Sequence, residues 1–161
     1  MEQKEDTILE IHNLSVSFRM YGHGLRQREL KVISSLHLTV YPGEILAIAG
    51  SSGSGKSLLS AAILGILPDN ARVCGHLHYK GQELTPNLQQ KLRGSEIALV
   101  PQSVAYLDPL MRVGAQAEGH HRPRPREKRR EVFRRFGLPE QTARLYPFQL
   151  SGGMARRVLV S

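Results

Sequence analysis

A single cysteine, Cys74, in a chain of 161 residues excludes an internal disulfide and a cysteine-built metal centre, and it agrees with a reducing compartment. No apolar stretch approaches the roughly 20 residues that a membrane-spanning helix needs, and the start Met1-Glu2-Gln3-Lys4-Glu5-Asp6 is too acidic and polar for a secretion signal. The expectation is therefore a soluble cytoplasmic domain. There is no internal repeat and no low-complexity tract. Aromatic residues make up 6% of the chain and do not interleave with the basic ones, so a base-stacking platform is missing and no nucleic-acid partner is expected. The seven histidines are scattered, with only His120 and His121 adjacent, and neighbouring side chains on a strand or helix point apart, which argues against a metal pair.

What is present begins with Gly50-Ser51-Ser52-Gly53-Ser54-Gly55-Lys56-Ser57, which matches the phosphate-loop pattern G-x-x-x-x-G-K-[ST] at every fixed position. Glycines at this spacing let successive backbone N–H groups converge on phosphates, and the helix that follows adds the positive end of its dipole. Lys56 then reaches the β and γ phosphates, and the Ser57 hydroxyl is placed for Mg²⁺. The context agrees: Ile45-Leu46-Ala47-Ile48-Ala49 reads as a strand buried on both faces, and Leu58 to Leu67 reads as a helix.

Elsewhere Leu14, Val16 and Phe18 alternate with Asn13, Ser15 and Ser17, and Leu36, Leu38 and Val40 alternate with Ser35, His37 and Thr39. The pattern predicts two half-buried antiparallel strands joined by a loop over Arg19 to Arg28. Val73 to Tyr79 followed by Lys80-Gly81-Gln82 predicts a hairpin, and Pro86 to Arg93 a short helix. Ile97 to Val100 predicts a second buried strand, ending at Pro101-Gln102. From Val104 onward the chain reads as a helical subdomain, with Val132, Phe133 and Phe136 on the apolar side of a helix over Arg126 to Phe136. That helix lies in a basic segment, where eight Lys and Arg residues between Arg122 and Arg135 face only Glu127 and Glu131. Such a run is ordinarily a solvated face, with anionic lipid headgroups, an acidic partner or nucleic acid as the alternatives.

Leu150-Ser151-Gly152-Gly153-Met154 precedes an amphipathic helical run. Ser151 suits a helix N-cap and the two glycines suit close approach of a phosphate, although Ser-Gly-Gly is also a common turn. Taken with the phosphate loop and with Gln102 closing a strand between them, this motif makes the chain resemble, from about Ile8 to Ser161, the ATP-binding subunits of ABC transporters. The resemblance identifies Gly50 to Ser57 with the Walker A loop, Gln102 with the Q-loop and Leu150 to Met154 with the signature motif. It implies ATP and Mg²⁺ as cofactors, with Ser57 and Gln102 at the metal and Gln102 also touching the attacking water. It implies a head-to-tail dimer in which Ser151, Gly152 and Gly153 of one subunit close over the γ-phosphate held by the other. Phe18 falls where the family stacks an aromatic on adenine, with Tyr21 a weaker candidate and an ordinary core residue the alternative. For Gln102 the alternative is a solvated loop residue. The implied partners are a second ATP-binding subunit, transmembrane permease subunits and, indirectly, a solute-binding protein, on the inner face of the membrane. Asp108-Pro109 and Phe148-Gln149-Leu150-Ser151-Gly152-Gly153-Met154 look most like the importers of oligopeptides, dipeptides and nickel.

The expected architecture is an α/β P-loop NTPase fold: an antiparallel β subdomain plus P-loop core over about 1–103, a helical subdomain over about 104–150 and the start of the signature helix over 151–161. The family's later parts, namely the Mg²⁺-binding aspartate after an apolar strand, the adjacent glutamate and the switch histidine, have no counterpart in these residues, so the C-terminal part of the core is missing and the chain alone is expected to be inactive. Three readings follow: the N-terminal portion of an importer ATPase, a truncated nucleotide-binding remnant that does not hydrolyse, or a soluble relative acting in translation or DNA repair. The last would need a second cassette, a coiled-coil insertion or zinc cysteines. Because the absent strand normally lies beside the phosphate-loop strand, an apolar edge is left unpaired. The polypeptide alone is accordingly expected to unfold without full reversibility and to aggregate on heating; a soluble monomer with a cooperative, reversible thermal transition would overturn this.

Overall fold

The computed structural model describes residues 7–21, 27–118 and 126–161, with the backbone only for Tyr21 and Gln27, and the chain divides into two units, Met1–Ala98 and Leu99–Ser161. In the first unit, alternating apolar residues build β1 (Leu9–Tyr21), flanked by β2 (Gln27–Val40) and β3 (Ala71–Tyr79), with the short β4 (Gln82–Glu83) beyond. The strands form one antiparallel sheet in the order β2-β1-β3-β4. β1 and β2 reach further than the alternation predicts, taking in Arg19–Tyr21 and Gln27–Arg28, which were expected to be loop. Strict alternation is broken at one level of the sheet. Asn13 has φ 53°, Ser35 φ 48° and Gly75 φ 108°, and the pairing slips beside each of them. This irregularity lets Ile11 and Leu14, three residues apart, face the same way as Val16, and all three are fully buried. Gly75 has no alternative, because a Cβ there would stand 2.5 Å from the Asn13 carbonyl oxygen.

Lys80 and Gly81, both at positive φ, make the two-residue turn into β4 that the Lys-Gly-Gln pattern predicts. Thr85 then caps α2 (Pro86–Leu92): its hydroxyl accepts from the Leu88 N–H, and Pro86 occupies the first helical position. α1 runs from Lys56 to Leu64, starting two residues earlier than predicted and ending at Gly65, whose φ of 64° closes the helix in left-handed form. The buried Gln89 of α2 donates to the Ala62 and Ile63 carbonyls at that end of α1, at 2.9 and 3.1 Å. The core of this unit is Ile11, Leu14, Val16, Ile33, Leu59, Ala62, Leu77, Leu84 and Leu92. Ser17, expected on the polar face, is buried, and its hydroxyl donates to Glu29 at 2.6 Å. That bond holds the Glu29 carboxyl below the ordinary carboxylate range. The Lys80 ammonium, 2.7 Å from Glu96, lowers that carboxyl in the same way.

Two expectations fail. Ile45 to Ala49 and Ile97 to Val100, read as buried strands, pair with no strand among the described residues except for an isolated bridge from Ile97 to Arg93. Ile45 is 96% exposed and Val100 56%. A parallel strand is buried on both faces when it lies within a sheet that helices cover on either side, and among the described residues neither segment lies in such a sheet.

The second unit holds α3 (Val113–Glu118), α4 (Arg126–Arg135) and α5 (Gly152–Val160), with one 3₁₀ segment before α3 and two between α4 and α5. Phe133, Val113, Leu107, Leu138, Ala155 and Val158 form its core, with Phe136 partly buried against it. The polar side of α4 is solvated, as a charge run ordinarily is. Arg126, Lys128, Arg130, Arg134 and Arg135 are exposed, Arg129 pairs with Glu118, and Arg130 pairs with Glu140. Arg122, Arg124 and the His120-His121 pair lie outside the described residues. Among the described residues no helix is long and apolar enough to cross a membrane.

The crowding at Gly75 gives a test. Gly81→Ala, with open space around it, should cost about 1–2 kcal/mol for its left-handed backbone. Gly75→Ala should cost about 1–3 kcal/mol more, because it drives a methyl into backbone. Urea midpoints of the two variants check the difference; equal losses would refute it.

Candidate nucleotide-binding site

In the first unit the segment Gly50 to Ser57 closes around its own lysine. Lys56 Nζ donates to the carbonyls of Gly50 and Ser51 at 2.7 and 2.6 Å and to the Ser54 hydroxyl at 3.1 Å, while the Ser54 N–H donates to the Ser51 carbonyl. Such closure leaves no room for a side chain at Gly50, where a Cβ would meet Ser54 Oγ at 2.6 Å. Gly55, at φ 89°, turns the chain into α1. A Cβ on it would lie 3.1 Å from Ile33 and 3.2 Å from Val32, so the loop is seated directly on β2.

α1 starts with no side-chain cap and no acidic residue in its first turn. Its first amides are therefore left for an external acceptor, and the helix dipole and the Lys56 ammonium favour an anion there. Gly50 to Ser54 are exposed, as is Ser57 in the first turn of α1. A polyphosphate fits this donor set: its oxygens would replace the loop carbonyls as partners of Lys56. The Ser57 hydroxyl is the kind of hard oxygen ligand that Mg²⁺ takes.

Phe18 sits on β1 opposite Leu30 and Ala71, half-buried, with its ring packed against the first unit's core. The side chain of Tyr21 lies outside the described residues.

In the second unit Gln102 is exposed at a bend, not at the end of a paired strand. The segment after it is braced by a residue that sequence reading did not single out. Gln116 accepts from the Asp108 N–H at 2.8 Å and donates to the carbonyls of Asp108 and Met111 at 2.9 and 2.8 Å. Ser151 is the N-cap of α5, its hydroxyl accepting from the Met154 N–H at 3.3 Å. Gly152 and Gly153 are exposed, with nothing within 4 Å of where a Cβ would stand, so this helix start is open to a large ligand. Arg157, also missed, anchors it: the guanidinium donates to the Gly137 carbonyl at 2.9 Å and to Phe136 at 3.3 Å, just past the end of α4. No local pattern announces a contact spanning 20 residues.

Residues 33–161 match the family model described as ABC transporter. The oligopeptide transport ATP-binding protein AmiE of Streptococcus pneumoniae is 32% identical over 176 residues, covering 100% of this chain and 48% of that protein. The dipeptide transport ATP-binding protein DppD of Lactococcus lactis is 32% identical, covering 98% of this chain and 48% of its own length. The chain thus spans about half the length of these curated relatives. Among solved structures, the ATP-binding cassette MJ0796, a dimer bound to ADP and Pi, superposes with a TM-score of 0.75 at 23% identity, over 95% of this chain and 67% of that one. CbiO1 of Clostridium perfringens, part of the complex cbiONQ, gives a TM-score of 0.66 at 21% identity, over 97% of this chain and 60% of that one. These likenesses show the fold, a P-loop ATPase cassette.

The two ends of the Ser-Gly-Gly motif should respond oppositely. Ser151→Ala removes the cap and should cost about 1 kcal/mol, whereas Gly152→Ala puts a methyl into open space on a helix and should stabilise by up to about 1 kcal/mol. Urea unfolding of both variants gives the signs, and a loss at Gly152→Ala would contradict the open geometry.

Proposed function

The chain belongs to the ABC transporter family, and on that premise we propose that it is the nucleotide-binding part of an ATPase subunit that drives peptide import. The observation that carries this reading is the uncapped start of α1 behind Gly55, with the Lys56 ammonium held at the centre of the loop. Gly50, Ser51, Ser52, Gly53, Ser54 and Gly55 present backbone amides to the phosphates of ATP, Lys56 pairs with the β and γ groups, and Ser57 would hold Mg²⁺. Bound Mg²⁺ supplies charge neutralisation across the β and γ phosphates. Gln102 orients the attacking water. Phe18 offers the exposed part of its ring to the adenine. Peptide is favoured over nickel as cargo because AmiE and DppD are named for oligopeptide and dipeptide transport.

Ser151, Gly152 and Gly153 act in trans, closing over the γ-phosphate held by the partner cassette. MJ0796, which shares the fold, is dimeric in its solved structure, and that supports this role. Closing two cassettes around ATP and reopening them after hydrolysis moves the helical subdomain, which transmits the motion to transmembrane permease subunits supplied by a solute-binding protein. The protein then works on the inner face of the membrane as a peripheral subunit.

In the complete protein Lys56→Ala should weaken ATP binding by roughly tenfold or more, as expected for loss of a charge-assisted contact worth about 1.5–3 kcal/mol, and should abolish peptide uptake. Ser151→Arg should leave ATP binding nearly unchanged while blocking ATP-dependent dimerisation. Equilibrium binding, size-exclusion with ATP and peptide uptake in cells check all three. Normal uptake with Lys56→Ala would overturn the proposal.

A further inference from the structure

The sheet gathers histidines that are scattered in the sequence. His12 on β1, His37 on β2 and His76 and His78 on β3 are all the histidines among the described residues. The register places Glu10 opposite His78 and His12 opposite His76, with the inward-facing pair Ile11 and Leu77 between them. Since alternate residues of a strand share a face, Glu10, His12, His76 and His78 all lie on the side of the sheet away from the buried core. The ring centroids of His12 and His37 are 6.2 Å apart, those of His12 and His78 6.5 Å, and those of His76 and His78 6.5 Å.

Three of these groups stand out. His12 Nε2 lies 3.4 Å from Glu10 Oε2, and two ligands on a tetrahedral cation at bond lengths of about 2.1 Å lie about 3.4 Å apart. The other oxygen of Glu10 is held by the Thr7 hydroxyl, which leaves Oε2 aimed at the imidazole. His78 Nδ1 is buried with no hydrogen-bond partner among the described residues, an arrangement that costs stability unless something supplies one. We propose that Glu10, His12 and His78 form a two-histidine, one-carboxylate site for a borderline divalent cation of the Zn²⁺ class. Imidazole and carboxylate are the donors such cations accept. His76, stacked on His78 and 3.9 Å from Glu83, stands beside the site as an available fourth ligand. Among the described residues no three ligating side chains already converge on one point, so the site assembles by side-chain rotation. The site is separate from the phosphate loop and independent of the nucleotide chemistry proposed above.

Zn²⁺ binding to the whole chain, without an affinity tag, is measured by competition with a chromophoric chelator at about pH 7.5, where imidazoles are free to bind metal. The expected result is one equivalent bound with a micromolar Kd and a rise in thermal midpoint on adding Zn²⁺. Because loss of even an outer partner of a metal ligand costs about 10–100-fold in affinity, His12→Asn, His78→Asn and Glu10→Gln should each weaken binding by roughly tenfold or more. The double variant His120→Asn/His121→Asn should bind like the original chain. Wild-type affinity in the double variant His12→Asn/His78→Asn, or no binding to the original chain below millimolar Zn²⁺, would overturn the proposal. Far-UV circular dichroism of each variant separates lost binding from lost structure.

Discussion

The close approach of Gly55 to β2 is the constraint on which the first unit depends. One residue must take a left-handed backbone, turn an extended segment into α1, and lie within van der Waals reach of Val32 and Ile33. Only glycine meets all three demands without strain. Because it does, α1 starts at a set height over the sheet, its uncapped amides face outward, and Leu59 and Ala62 drop into the same core as Ile11, Leu14 and Val16. Lys56 follows as the next residue and bends back to the carbonyls of Gly50 and Ser51. The loop that closes on Lys56 and the hydrophobic core are therefore anchored at one point.

A second constraint acts across the sheet. The irregularities at Asn13, Ser35 and Gly75 stand side by side on three strands, so each allows the others, and together they rotate the side chains on either side into a common register. The inward result is a fully buried column of Ile11, Leu14 and Val16. The gathering of Glu10, His12, His76 and His78 on the outward face comes instead from the regular pairing of Leu9 to His12 with His76 to Tyr79, before the irregularity begins. Against this well-paired sheet stand the runs Ile45 to Ala49 and Ile97 to Val100, which are apolar enough for a parallel core but, apart from the bridge between Ile97 and Arg93, pair with no strand among the described residues.

In the second unit the Ser-Gly-Gly turn and its support come from distant stretches. Ser151 caps α5 through its own backbone neighbourhood, but Arg157 binds that helix to the carbonyls beyond α4, and Gln116 ties α3 to the segment after Gln102. Guanidinium and amide side chains suit these positions because they offer several donors to carbonyls left over where a helix ends.

Local chemistry was legible in the sequence wherever it depends on neighbours along the chain. The phosphate loop, the Lys80-Gly81 turn, the Thr85-Pro86 and Ser151 caps and the apolar face of α4 around Phe133 are all written in a few consecutive residues, because turns, caps and helix faces are decided within about four positions. Tertiary structure alone decided the rest. It alone buried Ser17 against Glu29, left Ile45 and Val100 exposed, placed Arg157 on Gly137 and brought four scattered histidines onto one face. The physical reason is that strand register and pairing join residues far apart in the chain. A periodic pattern says which side of a strand is apolar, but only the partner strand determines what stands opposite, and only the elements packed on the sheet determine whether that side is covered.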